Sequence, residues 1–274
     1  DNRGGELVAI LIVLLSSSVV FMALRCYVRI WIIKSFAADD WLALGTLVSF
    51  AISSGFAMWG AHEGMMRHIW ALTPVMLMHA WKAWYFFTVF YVVSIFLVRL
   101  AVCFLLLRVC IRRWHKIFIY FVMGLNVLFN IYYFFVTVFQ CMPVNYLWRQ
   151  FDPVSPLKGH CVPPTVNGDS VIASTAVSVF TDWSLGLLPI FILRDLQMNI
   201  RKKAAIGILL SLASVVATLV RVPFIVNLGK NDDFFWSSLG PAVWSSVEPG
   251  LGIIVLSLAT LRPLFQSIFE SASS

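Results

Sequence analysis

Eight residues have the type and spacing to engage a ligand: Lys82, Trp84, Tyr85, Ser178, Asp182, Arg221, Trp244 and Glu248. All lie inside or at the mouth of long apolar stretches, where an ionisable group is costly and marks a functional position. Ser170, Ser174, Ser178 and Asp182 recur every four residues, which makes one stripe on a helix. Asn126, Asn130, Tyr133, Thr137 and Gln140 form a second stripe; Ser211, Ser214, Thr218 and Arg221 form a third. The Ser and Thr members read mainly as helix–helix hydrogen bonding, worth roughly 0.6–2 kcal/mol per contact. Counted at about 1.5 Å per residue, Arg221 and Glu248 fall in the outer third of the membrane and Asp182 near its middle. Arg99 falls in the inner third. The expected pairs are Arg221 with Glu248, and Lys82 or Arg221 with Asp182. Arg99 is expected to lack an acidic partner and to snorkel or bind backbone carbonyls.

Two chemistries suit this set. An outer-half pocket bordered by Trp84, Trp183 and Trp244, with Asp182, Arg221 and Glu248 at its floor, would take an amphipathic small ligand. The alternative is an enzyme, a cyclase or isomerase of a hydrophobic metabolite. There Asp182 or Glu248 would serve as general acid, since burial favours the neutral form of a carboxyl group. Tryptophan faces would then stabilise a cationic intermediate. The binding role is favoured over the catalytic one. No cofactor and no metal are expected; His62, His68 and His79 lack ligand spacing.

The elements that must hold these residues are membrane helices. Of 274 residues, 60% are hydrophobic and 12% charged, and the mean hydropathy is +0.88. A soluble domain has about 45–50% apolar and about 25% charged residues. Seven apolar stretches approach the ~20 residues that cross a bilayer: about 7–24, 41–59, 83–107, 117–139, 171–193, 204–226 and 241–261. Helices are required because backbone polar groups in lipid must be satisfied within the segment. The dyad alternation of a β-barrel is absent. The fold class is therefore all-α, a seven-transmembrane helix bundle forming one domain over 1–274. The first stretch reads as a true helix, not a signal peptide.

Basic residues follow the first, third and fifth stretches: Arg25, Arg29 and Lys34; Arg108, Arg112, Arg113 and Lys116; Arg194, Arg201, Lys202 and Lys203. The positive-inside rule puts the N-terminus outside and the C-terminus in the cytosol. The net charge of +7 is thus an orientation signal, and no nucleic-acid partner is expected. The expected partners are the lipid bilayer, a small amphipathic ligand and, at the cytosolic face, a signalling partner or anionic lipid. Cys26 and Cys110 are weak candidates for palmitate. Asp39 and Asp40 begin the second helix, suit its N-terminus, and read as a clamp with Arg25 and Arg29. The outer loop, Cys141 to Gly168, holds five prolines and reads as neither helix nor long strand. Cys141 and Cys161 in it sit on the oxidising side, where a bridge persists; two free thiols are the alternative.

Six stretches resemble the fungal rhodopsin-domain integral membrane proteins, a receptor-like seven-helix family. They are Arg25-x-Tyr27-x-Arg29 with Asp39-Asp40-Trp41; Gly60-Ala61-His62; Leu107-Arg108; Phe139-Gln140-Cys141-x-Pro143 with Trp148 and Cys161; Thr181-Asp182 with Leu188-Pro189; and Trp244-Ser245-x-x-Glu248 with Leu261-Arg262-Pro263-Leu264. The resemblance implies a plasma-membrane or endomembrane location, a Cys141–Cys161 bridge and a receptor-like role, with no catalytic residues. The last segment, Pro241 to Leu264, contains no Lys, so a retinal Schiff base has no anchor. A Glu/Asp-Arg-Tyr triplet after the third helix and Asn-Pro-x-x-Tyr in the seventh are both absent, so the common G-protein switch is not encoded.

Overall fold

The structure is a computed structural model that describes residues 3–110, 112–194 and 233–260. It is an all-α membrane protein, with six helices among the described residues long and apolar enough to cross a bilayer. The first, α1 (Gly4–Tyr27), continues as one π-helical turn (Val28–Ile32). Then come α2 (Ala38–His62), a 3-10 turn (Ile69–Ala71), α3 (Pro74–Val109) and α4 (Arg113–Val138). Next are β1 (Cys141–Met142), α5 (Tyr146–Arg149), β2 (His160–Cys161), α6 (Pro164–Arg194), α7 (Phe234–Ser237) and α8 (Leu239–Thr260). The sixth apolar stretch, 204–226, lies outside the described residues, and with it Arg221 and its stripe.

The helices start where local chemistry starts them. Thr73 accepts the Met76 N–H at 3.4 Å and Pro74 occupies the first turn of α3, so the helix begins at Pro74 and not at Ala83. The same tolerance for Pro in a first turn lets α6 begin at Pro164. The carboxylate of Asp40 accepts the Ala37 N–H at 3.0 Å at the start of α2. The loop read as free of helix contains the single turn α5 and the first turn of α6, and its two strands pair Cys141 opposite Cys161. Those two cysteines are joined by a disulfide.

Helix α3 is the hub: it packs on α2, α4, α8 and α6, while α1 packs on α2 and α8. Small residues permit the closest approaches. A Cβ on Gly60 would lie 2.9 Å from the Ala83 Cβ, and one on Gly252 would lie 2.8 Å from Val98 Cγ2. Ile12, Val13 and Val20 of α1 and Phe121, Leu128 and Phe135 of α4 are exposed, as bilayer-facing residues must be. Aromatic rings fill the disulfide end: Trp81 stacks on Phe234 at 5.0 Å, and Phe56 on Phe86 at 4.9 Å.

Candidate functional site

The centre of the bundle holds an ionic cluster on three helices. Arg99 of α3 donates from Nε to Asp182 Oδ1 at 3.0 Å and from Nη2 to Asp182 Oδ2 at 3.0 Å, a bidentate pair. Its Nη2 also donates to Glu248 Oε1 of α8 at 2.9 Å, and its Nη1 to Ser178 Oγ at 3.0 Å. Tyr91, two turns earlier on α3, donates its hydroxyl to Glu248 Oε2 at 3.0 Å. The side chains of Arg99, Asp182 and Glu248 are 6%, 7% and 8% exposed. The spacing of Ser178 and Asp182 puts both on one face of α6, which presents a carboxylate and a hydroxyl to the same guanidinium.

Arg99 therefore has two acidic partners where none was expected, and it is Arg99, not Lys82, that binds Asp182. Counting depth from the end of each apolar stretch assumes upright helices of equal length. At 36 residues, α3 is about 54 Å long, too long to stand upright within one bilayer thickness. Lys82 sits about 25 Å along the axis from Arg99, towards the disulfide end.

A cavity of about 30 Å³ adjoins the cluster. Its wall is half polar, with Arg99, Glu248, Asn130 and Ser178, and half apolar or aromatic, with Phe129 and Tyr133. Asn130 is oriented by its own helix: its Nδ2 donates to Asn126 Oδ1 at 2.7 Å. The Asn126 Nδ2 is buried and meets no hydrogen-bond partner among the described residues. The structure thus brings together Ser178, Asp182 and Glu248 from the residues expected at a site and adds Tyr91, Arg99 and Asn130. It does not bring in Trp84 or Tyr85. Trp84 packs edge-on to Phe234 at 5.3 Å, and Tyr85 donates to the Val138 carbonyl at 3.3 Å beside Trp148. Trp183 is 49% exposed and outside the cavity wall. Trp244 is half-buried one turn before Glu248. Tyr91 escaped the sequence reading, although its spacing from Arg99 puts both near one face of α3.

A second ionic cluster ties the other end of the bundle. Arg25 donates to Asp40 Oδ1 at 2.8 Å and to Asp39 Oδ2 at 2.7 Å, and Arg29 donates to Asp39 Oδ2 at 2.9 Å. Arg25 also donates to the Leu256 carbonyl of α8. All four charged side chains are buried, so the reading of Asp39 and Asp40 as a structural clamp holds. At the disulfide end, His68 meets Asp233 between the rings of Trp70 and Trp236. His79 meets Glu63 at 2.9 Å, while His62 is exposed. Cys110 is buried, and burial pushes its thiol up from the usual range, which counts against acylation there.

The model of the fungal rhodopsin domain matches residues 24–267, a range that contains both ionic clusters and the disulfide. The chain belongs to the fungal rhodopsin domain family. Two similar proteins give the family context. One is the polyenoic acids biosynthesis gene cluster protein Ba17b of Metarhizium anisopliae, 22% identical over 98% of this chain and 76% of its own length. The other is a SAT4 family membrane protein of Emericella nidulans, 26% identical over 67% of this chain and 46% of its own length. The family name implies retinal, and the residues of this fungal rhodopsin-domain protein do not fit it. No lysine stands in α8, and Glu248 at its centre is engaged by Arg99 and Tyr91.

Proposed function

We propose that this fungal rhodopsin-domain protein is a receptor-like membrane protein that binds a small amphipathic ligand beside the Arg99–Asp182–Glu248 cluster. The observation that carries the reading is the cavity wall, which combines polar and aromatic side chains, against a buried ion cluster. At about 30 Å³ the space holds about one or two waters, whereas drug-sized ligands need about 300–1,000 Å³. Ligand entry therefore parts α4 from α6, and this movement is the signal. The donors of Arg99 are already directed at Asp182, Glu248 and Ser178, so the ligand head is a neutral hydrogen-bonding group that meets Asn130 and Ser174. A long apolar acid in its protonated form has that chemistry, and the name of the Metarhizium relative, a protein of a polyenoic acids biosynthesis gene cluster, supports the same class. The cyclase or isomerase reading requires a carboxyl free to give up a proton; both oxygens of Glu248 accept from protein donors, which favours binding. An N-terminus outside, a cytosolic C-terminus and a single seven-helix domain in the plasma membrane or an endomembrane complete the proposal. The disulfide at one end and the basic residues at the other support that orientation.

Parinaric acid, a fluorescent polyenoic fatty acid, tests the site in nanodiscs through energy transfer from tryptophan. Saturable transfer is expected, weakened about ten-fold by Asn130→Ala, the loss of about one hydrogen bond to a buried group. Binding to the wild type and Asn130→Ala with equal affinity would remove the cavity from the proposal. Turnover of the probe to a new product would favour the enzyme.

A further inference from the structure

A hydrogen bond ties α4 to α6 on the disulfide side of the cavity: the Tyr132 hydroxyl lies 3.0 Å from Ser170 Oγ. Ser170 gives its single proton to the Val166 carbonyl at 2.8 Å, so Tyr132 is the donor and Ser170 the acceptor. The two ends of this bond differ in surroundings. Ser170 is 4% exposed, whereas Tyr132 is 48% exposed and shares a helix face with Leu128 and Phe135, which are exposed too. The bond therefore crosses the seam, with the serine inside the bundle and the tyrosine ring on the face that α4 turns to the bilayer. One turn further in, about 6 Å along α6, stands Ser174, and next to Tyr132 on α4 stands Tyr133. Both line the cavity, together with Asn130 and Ser178. Of the six spans among the described residues, α4 has the smallest buried share, 17%, so it leaves the bundle with the least loss of packing.

We propose that the α4–α6 seam on the disulfide side is a lateral portal through which an apolar ligand passes from the bilayer leaflet into the cavity, with the Tyr132–Ser170 hydrogen bond as its latch. The portal rests on the ligand reading above and adds the side of entry and the two residues that control it. Entry from the leaflet suits a long acyl chain, which stays dissolved in lipid while its head passes the latch, so no apolar surface meets water. The route from water runs past the disulfide loop, where Trp81 stacks between Phe151 at 6.3 Å and Phe234 at 5.0 Å. The latch is weak enough to open as a step of entry: a helix–helix hydrogen bond in a membrane shifts an equilibrium by about three- to twenty-fold.

The test uses the full chain in nanodiscs, with Ser174→Cys as a reporter of the cavity. A maleimide carried on an acyl tail approaches from the bilayer, and a sulfonated maleimide approaches from water. Peptide mass spectrometry reads the introduced thiol apart from Cys26, Cys103 and Cys110. Tyr132→Phe should speed labelling by the acyl maleimide about three- to twenty-fold and leave labelling by the sulfonated one unchanged. Ser170→Ala should do the same, and the two together no more than either, because both remove one bond. Phenylalanine keeps an apolar ring at the lipid boundary; if that variant is not monodisperse, Ser170→Ala is read in its place. Acyl labelling unchanged in both variants, or acceleration confined to the sulfonated reagent, overturns the portal. The ligand reading is tested separately. Parinaric acid that fails to bind while the latch variants speed labelling strikes the ligand and leaves the portal, and binding with unchanged labelling does the reverse.

Discussion

Removing one partner from a buried ion cluster leaves the others uncompensated, at a cost of about 3–5 kcal/mol. Arg99→Ala removes the guanidinium that Asp182 and Glu248 share, so its loss of stability should reach that range, read as the melting temperature of the purified protein. Glu248→Gln keeps an acceptor for Tyr91 and leaves Arg99 with Asp182, and it should cost clearly less. Equal losses in the two variants would mean that Arg99 and Glu248 are not coupled as their geometry indicates. Arg25→Ala should resemble Arg99→Ala, because Asp39, Asp40 and the Leu256 carbonyl all lose a donor. A gentler effect belongs to Asp152 in the disulfide loop. N–H groups of Val154 and Ser155 donate to its carboxylate and hold it below the usual carboxylate range. A depressed folded value stabilises the turn above the ordinary carboxylate pKa and is lost as pH falls through the folded value. The protection factor of the Val154 amide, its exchange relative to the intrinsic rate at each pH, should therefore fall on acidification, and in Asp152→Asn that fall should vanish.

Two glycines set how closely the helices approach. Gly252 admits Val98 where α8 crosses α3, on the residue before Arg99, so this contact governs whether Glu248 reaches the guanidinium. Gly252→Val should push the helices apart and cost about 1–3 kcal/mol by overpacking, with the Arg99–Glu248 contact lengthened in a structure of the variant. Gly60→Val should cost a similar amount at α2 against α3, where Ala83 is the obstacle, and should leave the ion cluster unchanged. Pro249, directly after Glu248, lies inside α8 and removes the N–H that would bond the Ser245 carbonyl. Glu248 thus stands where its helix is most easily bent.

For the molecule as a whole, the disulfide and the two ion clusters occupy different levels. The Cys141–Cys161 bridge spans a sequence separation of 20, and closing a loop of that size restricts the unfolded chain by about 3 kcal/mol. Cys141→Ser with Cys161→Ser should lower stability by that order in differential scanning fluorimetry. Reduction of the wild type should match it, since both act through the same loop. The ion cluster formed by α3, α6 and α8 should survive, because the loop meets the bundle through Tyr85, Trp148 and Leu147 and not through Arg99.

Much of this protein was legible in order of residues. Apolar length alone marked the spans, because lipid leaves a chain no other way to satisfy its backbone. Arg25 and Arg29 lie close in sequence to Asp39 and Asp40, so a helix end and a short connection suffice to bring them together. The two cysteines and their shared loop, and the motifs that place the chain in its family, were local in the same sense. The central cluster was not local. Arg99, Asp182 and Glu248 are separated by 83 and 149 residues from arginine to each acid, and their meeting depends on the start of α3 at Pro74 and the close crossing at Gly252. Sequence determines which face of a helix a side chain occupies; only tertiary packing decides the level at which one helix stands against the next, and that level made Arg99 the partner of both acids.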